Sequence, residues 1–197
     1  MYSGEYAKSG IPNILVPAYH ELNGKVWGIV GYGNIGKAVG KVARALGCKV
    51  IFTRRTRTDE DGYTDIDTLC KTADIITIHT PLNDESRNLI NESRINSMKP
   101  GVIIVNEARG AVWDESAISN AIEKGKIGAC GCDVYTREPI EDSSPLMRIA
   151  GRDNVCLTPH MAWAAFEARK RCLYETAENI DAFINGKNRN RVDLVEI

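Results

Sequence analysis

Three side chains in the second half of the chain, Arg109, Glu138 and His160, could act together in catalysis. An arginine is always charged, so it can hold a substrate carboxylate through two parallel hydrogen bonds and polarise the neighbouring carbonyl. A histidine can give a proton to the alkoxide that forms during reduction and remove it during oxidation. The glutamate would orient the imidazole. A cation, a carboxylate and an imidazole are the groups that hydride transfer to a 2-oxo acid requires.

Each of these residues has an ordinary explanation when it is taken alone. An Arg-Gly turn is usually structural, a glutamate before proline is often a loop acid, and a lone histidine commonly serves only as a hydrogen-bonding group. Their placement favours a shared site, because Arg109 and His160 each follow a predicted strand. The carboxyl ends of parallel strands meet at one edge of a sheet, where open α/β folds bind their ligands.

The sequence GYGNIG forms a glycine-rich loop that follows an apolar run and opens an amphipathic one. This strand–loop–helix context favours dinucleotide binding. Gly31 permits a tight turn, Gly33 lets the backbone approach a pyrophosphate, and Gly36 allows close packing of helix on strand. The N–H groups near Asn34 and Ile35 would bind the anion at the helix N-terminus. The alternative is a glycine-rich turn that binds no ligand.

The end of the predicted second strand favours NADP over NAD as the dinucleotide. An NAD enzyme usually has an acidic residue there, which accepts hydrogen bonds from the ribose hydroxyls. In this chain the strand ends at Thr53, and Arg54, Arg55 and Arg57 lie just beyond it. A guanidinium suits a 2′-phosphate, whereas a carboxylate would repel it. The alternative is an exposed basic loop that accepts NAD through other contacts.

The composition excludes several classes of function. The chain of 197 residues has 25 basic and 26 acidic side chains, so the charge balance indicates no general affinity for nucleic acid or for an anionic membrane. No apolar run is long enough to span a bilayer, and the first residues lack the pattern of a secretory leader, so a cytoplasmic protein is expected. The six cysteines include no C-x-x-C pair, and the three histidines are far apart in sequence. No metal or redox site is therefore predicted.

Short β-branched runs alternate with longer amphipathic segments, a pattern that predicts a parallel sheet covered by helices. Strands are predicted at residues 26–30, 50–53, 75–78, 102–106, 129–134 and 155–157. Helices are predicted at residues 35–46, 66–71, 92–98, 115–124 and 164–185. The strand sequences read as continuous apolar runs, which is typical of strands buried on both faces. The fold class expected is α/β, a Rossmann-type doubly wound parallel sheet.

The chain divides into three predicted parts. Residues 1–23 carry Gly10, Pro12 and Pro17 without a clear period, and are interpreted as a linker or the remnant of another domain. Residues 24–163 form the dinucleotide-binding domain. Residues 164–197 contain a last helix and a tail. The apolar stripe of this helix needs a partner surface, and it consists of Phe166, Leu173, Ala177, Ile180 and Ile184.

The set of motifs resembles the D-isomer-specific 2-hydroxyacid dehydrogenase family, in particular its glycerate dehydrogenase (hydroxypyruvate reductase) branch. Besides the glycine-rich loop, the matching segments are IHTPL at 78–82, MKPG at 98–101, NEARG at 106–110, DVYTREP at 133–139 and TPH at 158–160. They cover most of the chain, and as a set they are highly specific. The resemblance implies a nicotinamide-dependent enzyme for a small 2-oxo or D-2-hydroxy acid, with hydroxypyruvate and glyoxylate expected first, and a homodimer built through the nucleotide domain.

The resemblance also implies a role for most of the singled-out residues. Arg109, Glu138 and His160 would be the substrate-binding and acid–base residues. Asp133 would contact the nicotinamide carboxamide. From its own sequence context, and not from the resemblance, His79 is interpreted as a residue that positions the backbone beside the cofactor rather than as a catalyst. The expected cofactor-binding set is then Gly31, Gly33, Asn34, Ile35, Gly36, Thr53, Arg54, Arg55, His79, Thr80, Pro81, Glu107, Ala108, Arg109, Asp133 and His160.

Two departures from the family pattern bear on function. Glu107 replaces the small or β-branched residue that usually precedes Ala-Arg, and nothing in the sequence explains it. Family members also begin with a substrate domain that closes the cleft, and here that domain is expected to be largely absent. Two hypotheses follow. The chain is a dehydrogenase module, or it is a dinucleotide-binding fragment that binds cofactor without turnover.

Overall fold

Six parallel strands form one sheet, and the order of the strands across the sheet is β2-β1-β3-β4-β5-β6. A computed structural model describes residues 4–16 and 18–192 of the chain. Within them the strands are β1 Val26–Val30, β2 Lys49–Thr53, β3 Ile75–Ile78, β4 Val102–Asn106, β5 Ile127–Cys132 and β6 Val155–Leu157. This topology confirms the predicted α/β fold class of the Rossmann type.

Helices connect the strands and cover the sheet. In the same ranges they are α1 Glu5–Lys8, α2 Asn34–Ala45, α3 Ile66–Thr72, α4 Glu92–Ser97, α5 Glu115–Glu123 and α6 Phe166–Ile184, with short 3-10 helices at Gly110–Val112 and Pro145–Arg148. Asp65, Asn91 and Asp114 cap α3, α4 and α5, because each side chain accepts a hydrogen bond from the backbone N–H three residues on. None of these helices is long and apolar enough to cross a membrane.

The observed elements lie close to the predicted ones. Four strands have the predicted bounds, β2 begins one residue earlier, and β5 begins and ends two residues earlier than expected. The early end of β5 follows from its neighbours, because Cys132 pairs with Asn106 and Leu157, the last residues of β4 and β6. The predicted N-terminal linker contains the short helix α1, and its residues 1–3 and 17 lie outside the described residues, as do residues 193–197 of the tail.

The two faces of the sheet are covered unequally. Helices α3, α4 and α5 bury one face in a large apolar cluster, whereas α2 packs on β1 and β2 of the other face. The prediction of strands buried on both faces therefore holds for β3, whose four residues are all buried. It is wrong for β4 and β6, where Ile103 and Cys156 are exposed, because α2 does not reach that part of the sheet.

Helix α6 has the predicted position and an exposed apolar stripe. Phe166, Leu173 and Ile184 are each at least two-thirds exposed, at 67%, 72% and 75%. Of the described residues of this helix only Ala182 is buried. The prediction that the stripe needs a partner surface stays a prediction.

The order in which strands join the sheet reverses at β1, which creates a crevice between the carboxyl ends of β1 and β3. From β1 the chain moves outward to β2, and it then returns to the opposite side of β1 as β3. Gly31 follows β1 with a φ of +94°, and a Cβ on it would lie 2.7 Å from the backbone of His79 and Thr80 beyond β3. Only glycine fits there. This crevice is the place where open α/β sheets bind ligands.

Replacing Gly36 by alanine tests the contact between α2 and the glycine-rich loop. The added Cβ would lie 2.2 Å from the carbonyl oxygen of Gly31, so the backbone must shift. We expect urea denaturation to show a loss of about 1–3 kcal/mol in the free energy of unfolding, the range for overpacked sites. Gly33→Ala is the matched control, because a Cβ there meets no described atom within 4 Å. Equal losses in the two variants would contradict the packing argument.

Candidate active site

The glycine-rich loop presents the N-terminus of α2 to the crevice. Gly31 N–H donates to the Thr53 carbonyl at 3.0 Å, which holds the loop against the end of β2. No described side chain caps the start of α2, and its first turn has no acidic residue. A Cβ built on Gly33 would meet no described atom within 4 Å, so the loop is open on that side. An uncapped helix start beside open space fits a pyrophosphate, since its N–H groups and the helix dipole both favour an anion.

Tyr32 fixes the conformation of this loop, and sequence reasoning missed it. Its ring stacks on Phe52 of β2 with the ring centroids 3.8 Å apart, and both rings are buried. Arg44 of α2 donates a hydrogen bond to the Tyr32 hydroxyl at 3.0 Å. The loop is therefore attached to both the strand and the helix that it joins. An aromatic residue within a glycine-rich loop is the signal that could have revealed this role.

The basic segment follows β2, the neighbour of β1, at the carboxyl edge of the sheet. Arg54, Arg55 and Arg57 are all exposed. No carboxylate among the described residues forms an ion pair with any of them. Their charges are therefore available to an anionic ligand at the edge of the sheet.

His79 lies where β3 enters the crevice, and its geometry favours a structural role. Its backbone N–H donates to the Val30 carbonyl at 2.7 Å. Its ring Nε2 is buried and has no hydrogen-bond partner among the described residues. Burial lowers the pKa of His79, so the ring is neutral at pH 7. Two residues on, the Pro81 carbonyl accepts a hydrogen bond from Ser86 Oγ at 2.6 Å, which fixes the following turn.

Asn106, the last residue of β4, shapes the turn that carries Arg109. Its side chain is fully buried. Its Oδ1 accepts from the Ala108 N–H at 3.0 Å, and its Nδ2 donates to the Arg109 carbonyl at 3.1 Å. The turn places Arg109 and Glu107 on the exposed side. No described contact explains the carboxylate of Glu107.

Glu138 and His160 form a direct contact. The Glu138 Oε2 lies 2.6 Å from His160 Nδ1, and both side chains are a little over one-third exposed, at 37% and 41%. The other oxygen of Glu138 accepts the Tyr135 N–H at 2.9 Å. Burial opposes ionisation of Glu138, but the hydrogen bonds from Tyr135 and His160 and the charges of His160 and Arg109 together lower its pKa. The imidazole therefore faces a carboxylate that is ionised at neutral pH.

Asp133 holds the turn that carries His160. Its carboxylate is 4% exposed and accepts three hydrogen bonds, from Thr158 Oγ1 at 2.5 Å and from the Met161 and Ala162 N–H groups at 2.8 Å each. His160 lies between these donors with a φ of +53°, a left-handed conformation that is uncommon for a residue other than glycine. Burial opposes ionisation of Asp133, but the three hydrogen bonds outweigh it and lower its pKa. An ionised side chain thus sets the backbone on both sides of the histidine.

These observations place the predicted site residues in two groups along one edge of the sheet. Arg109, Glu138 and His160 lie beyond β4, β5 and β6, and the charge of Arg109 is close enough to act on Glu138. The glycine-rich loop and the arginines lie beyond β1 and β2. Residues Thr80 and Pro81, beyond β3, lie between the two groups.

A comparison with protein families identifies the domain. Residues 7–162 match the NAD binding domain of D-isomer specific 2-hydroxyacid dehydrogenases. The chain belongs to this family. A curated relative, the hydroxypyruvate reductase of Blautia hydrogenotrophica, is 39% identical over 178 residues, which are 88% of this chain and 54% of that protein. The chain therefore spans about half the length of this relative.

Solved structures of two enzymes with a bound dinucleotide share the fold. The D-lactate dehydrogenase of Lactobacillus jensenii with NAD+ superposes with a TM-score of 0.83 at 29% identity, over the whole of this chain and 63% of that one. An acyclic imino acid reductase in complex with NADPH and D-Arg gives a TM-score of 0.81 at 31% identity, over 96% of this chain and 61% of that one. The two neighbours hold different dinucleotides, so they leave the choice between NAD and NADP open.

In this dehydrogenase domain the Glu138–His160 pair borders an apolar cavity of about 650 Å³. The cavity is lined by Tyr135, Pro139, Ile140, Met147, Leu157, Thr158 and Pro159 in addition to the pair. Tyr135 connects the two loops, because its hydroxyl donates to the Thr158 carbonyl at 2.8 Å, and burial raises its pKa to about 12. The phenol therefore stays protonated and keeps donating across the neutral pH range.

Replacing Asp133 by asparagine tests the role of its charge in stability. A carboxylate whose pKa is lowered by folding contributes stability that is complete above its unfolded pKa, about 3.9, and that is lost as the pH falls through the lower folded value. At pH 7 we expect Asp133→Asn to lose about 2 kcal/mol of unfolding free energy, typical of hydrogen bonds to a charged group. The difference from wild type should shrink as urea denaturation is repeated from pH 4 downward.

The exposed Asp59 provides the control for this experiment. Asp59→Asn removes the same charge without a described hydrogen-bond partner, so its unfolding free energy should follow that of the wild type at every pH. A loss in Asp133→Asn that is the same at pH 7 and pH 3 would show that the ionised carboxylate is not the stabilising group.

Proposed function

We propose that this chain carries the nucleotide-binding and acid–base machinery of an oxidoreductase that interconverts a small 2-oxo acid and the corresponding D-2-hydroxy acid. The observation that carries the proposal is the 2.6 Å contact between Glu138 and His160 at the same sheet edge as Arg109. Membership of the dehydrogenase family and the uncapped start of α2 support it. The nicotinamide, when bound, supplies or accepts the hydride.

The proposed roles follow from the chemistry of each side chain. Arg109 holds the substrate carboxylate and polarises the carbonyl to be reduced. His160 donates its proton to the oxygen as the alcohol forms, and accepts it in the reverse direction. Glu138 keeps the imidazole oriented through Nδ1, which leaves Nε2 for the substrate.

The remaining predicted residues are proposed to hold the dinucleotide. Asn34 and Ile35 offer N–H groups to the pyrophosphate, together with the open space above Gly33. Pro81, Glu107 and Ala108 are assigned to the nicotinamide side, and Thr80 is included in the dinucleotide site. Asp133 retains acceptor capacity for a carboxamide, because its Oδ2 accepts one hydrogen bond from the described residues, that of the Ala162 N–H.

Hydroxypyruvate and glyoxylate are the substrates proposed first, and the similarity to the hydroxypyruvate reductase of Blautia hydrogenotrophica supports hydroxypyruvate. A homodimer, which the family resemblance implies, and a cytoplasmic location are also part of the proposal. Light scattering of the purified chain tests the dimer directly, since a monomeric mass at micromolar concentration would contradict it.

Turnover of hydroxypyruvate tests the catalytic assignment. Purified chain should consume NADPH or NADH in the presence of hydroxypyruvate, measured by the loss of absorbance at 340 nm. We expect His160→Gln to lower kcat at least about 100-fold, because acid–base catalysis contributes factors of this size. Cofactor fluorescence should show that the variant still binds dinucleotide, which assigns the loss of turnover to the proton transfer. Binding without turnover in the wild-type chain would instead support a nucleotide-binding domain that does not catalyse the reaction alone.

The arginines after β2 support a preference for NADP over NAD. A 2′-phosphate beside Arg54 and Arg55 would gain charge-assisted hydrogen bonds that a ribose hydroxyl does not provide. Replacing both arginines by alanine should weaken NADPH binding about 10- to 100-fold and change NADH binding less than about threefold. Fluorescence titration measures both. Arg152→Ala removes an exposed arginine elsewhere and should change neither affinity. A clear preference of the wild-type chain for NADH would overturn the arginine argument.

A further inference from the structure

The peptide between Tyr135 and Thr136 is held closely by the segment that follows Arg109. A Cβ on Gly110 would lie 1.9 Å from the Tyr135 carbonyl carbon and 2.1 Å from the Thr136 nitrogen. Gly110 and this peptide are thus in direct backbone contact, with no room for a side chain between them. The loop that carries Glu138 therefore rests on the turn that carries Arg109.

Glu115 makes a second contact with the same peptide. Its Oε1 accepts the Thr136 N–H at 2.6 Å, and its Oε2 accepts from Ser144 Oγ at 3.3 Å. Glu115 is the first residue of α5, but Asp114 already caps this helix by accepting the Ala117 N–H. The Glu115 carboxylate is therefore directed away from its own helix, toward both ends of the loop between β5 and the 3-10 helix at Pro145–Arg148.

The contact made by Glu115 leads to the catalytic pair through one more hydrogen bond. The peptide that Glu115 holds adjoins the Tyr135 N–H, which donates to Glu138 Oε1 at 2.9 Å. The other oxygen of Glu138 contacts His160 Nδ1 at 2.6 Å. The position of the carboxylate that orients His160 thus depends on the position of a peptide that Glu115 and Gly110 fix.

We propose that Glu115 is a positioning residue that holds the loop of Glu138 against the segment of Arg109. It sets the placement of the Glu138–His160 pair relative to the guanidinium that binds substrate, and in this respect it rests on the proposed function. A displacement of about 1 Å in such a pair is enough to cost a large factor in rate. Glu115 itself does not need to touch substrate or cofactor.

Titration of the Glu138 side-chain carboxyl by ¹³C NMR tests this role without any turnover. In Glu115→Ala the loop loses its acceptor, so the hydrogen bond from Tyr135 N–H to Glu138 weakens, and we expect the pKa of Glu138 to rise by about 0.5 to 1 unit. The loss of a negative charge nearby acts in the opposite direction and would lower the pKa of Glu138. The sign of the change therefore separates positioning from a charge effect through space.

Three further variants sharpen the result. Glu115→Gln removes the charge but retains an oxygen that can accept the Thr136 N–H, so the pKa of Glu138 should not rise. Ser144→Ala removes the longer contact of Glu115 together with the hydrogen bond from Leu146 N–H to Ser144 Oγ, and should have a small effect on the pKa of Glu138. Glu92→Ala removes an exposed glutamate from the equivalent position of α4 and should leave the Glu138 titration unchanged.

Two outcomes would overturn the proposal. The first is a pKa of Glu138 that is unchanged or lower in Glu115→Ala. The second is a pKa of Glu138 that rises as much in Glu115→Gln as in Glu115→Ala. In a chain that turns over hydroxypyruvate, Glu115→Ala should lower kcat about tenfold or more with KM changed less than about threefold, and Glu115→Gln should restore most of kcat. A chain without turnover would contradict the proposed function alone, because the NMR titration would still decide the role of Glu115.

Discussion

The site depends on how the loops beyond β4 and β6 satisfy their backbone N–H groups. A loop at the edge of a buried sheet cannot use ladder hydrogen bonds, yet each buried N–H needs an acceptor. Asn106 and Asp133, at the ends of adjacent strands, provide these acceptors from side chains that are almost fully buried. Asn106 accepts the Ala108 N–H, and Asp133 accepts those of Met161 and Ala162. The turns that carry Arg109 and His160 are therefore set by the sheet itself.

The same residues decide the electrostatics of the site. Asp133 and Glu138 both keep lowered pKa values although burial opposes ionisation, because backbone and side-chain donors surround them. Each carboxylate thus performs two tasks. It stabilises a loop through hydrogen bonds, and it places a negative charge beside the imidazole of His160. Removing either charge would disturb the conformation of the loop and the field around the histidine together, which is why charge and positioning must be tested with separate variants.

The sequence was sufficient for the strands and for the residues with evident chemistry, but not for the contacts between loops. Strong apolar runs predicted four strands with their observed bounds, and the family fold was correct. The contact of Glu115 with Thr136 joins residues 21 apart in the sequence, and no periodic pattern marks it. The three hydrogen bonds that Asp133 accepts likewise join residues that are 25 to 29 apart in the sequence. The exposed part of the sheet near Ile103 was missed because apolar runs do not reveal which helix covers which strand.

The arrangement of the edge also constrains the ligand. The arginines follow β2 and His160 follows β6, at opposite sides of a six-stranded sheet. Neighbouring strands lie about 4.8 Å apart, so five intervals separate these groups by roughly 24 Å. A small anion could occupy one end, whereas only an elongated ligand could lie along the edge past Gly33 and Pro81 toward His160. Gly36 and Gly33 serve this path in different ways. Gly36 is needed for the packing of α2 on the glycine-rich loop, whereas a Cβ on Gly33 would meet no described atom within 4 Å, so the loop leaves room for a ligand there. A dinucleotide has both the length and the central anionic group that such an edge accommodates.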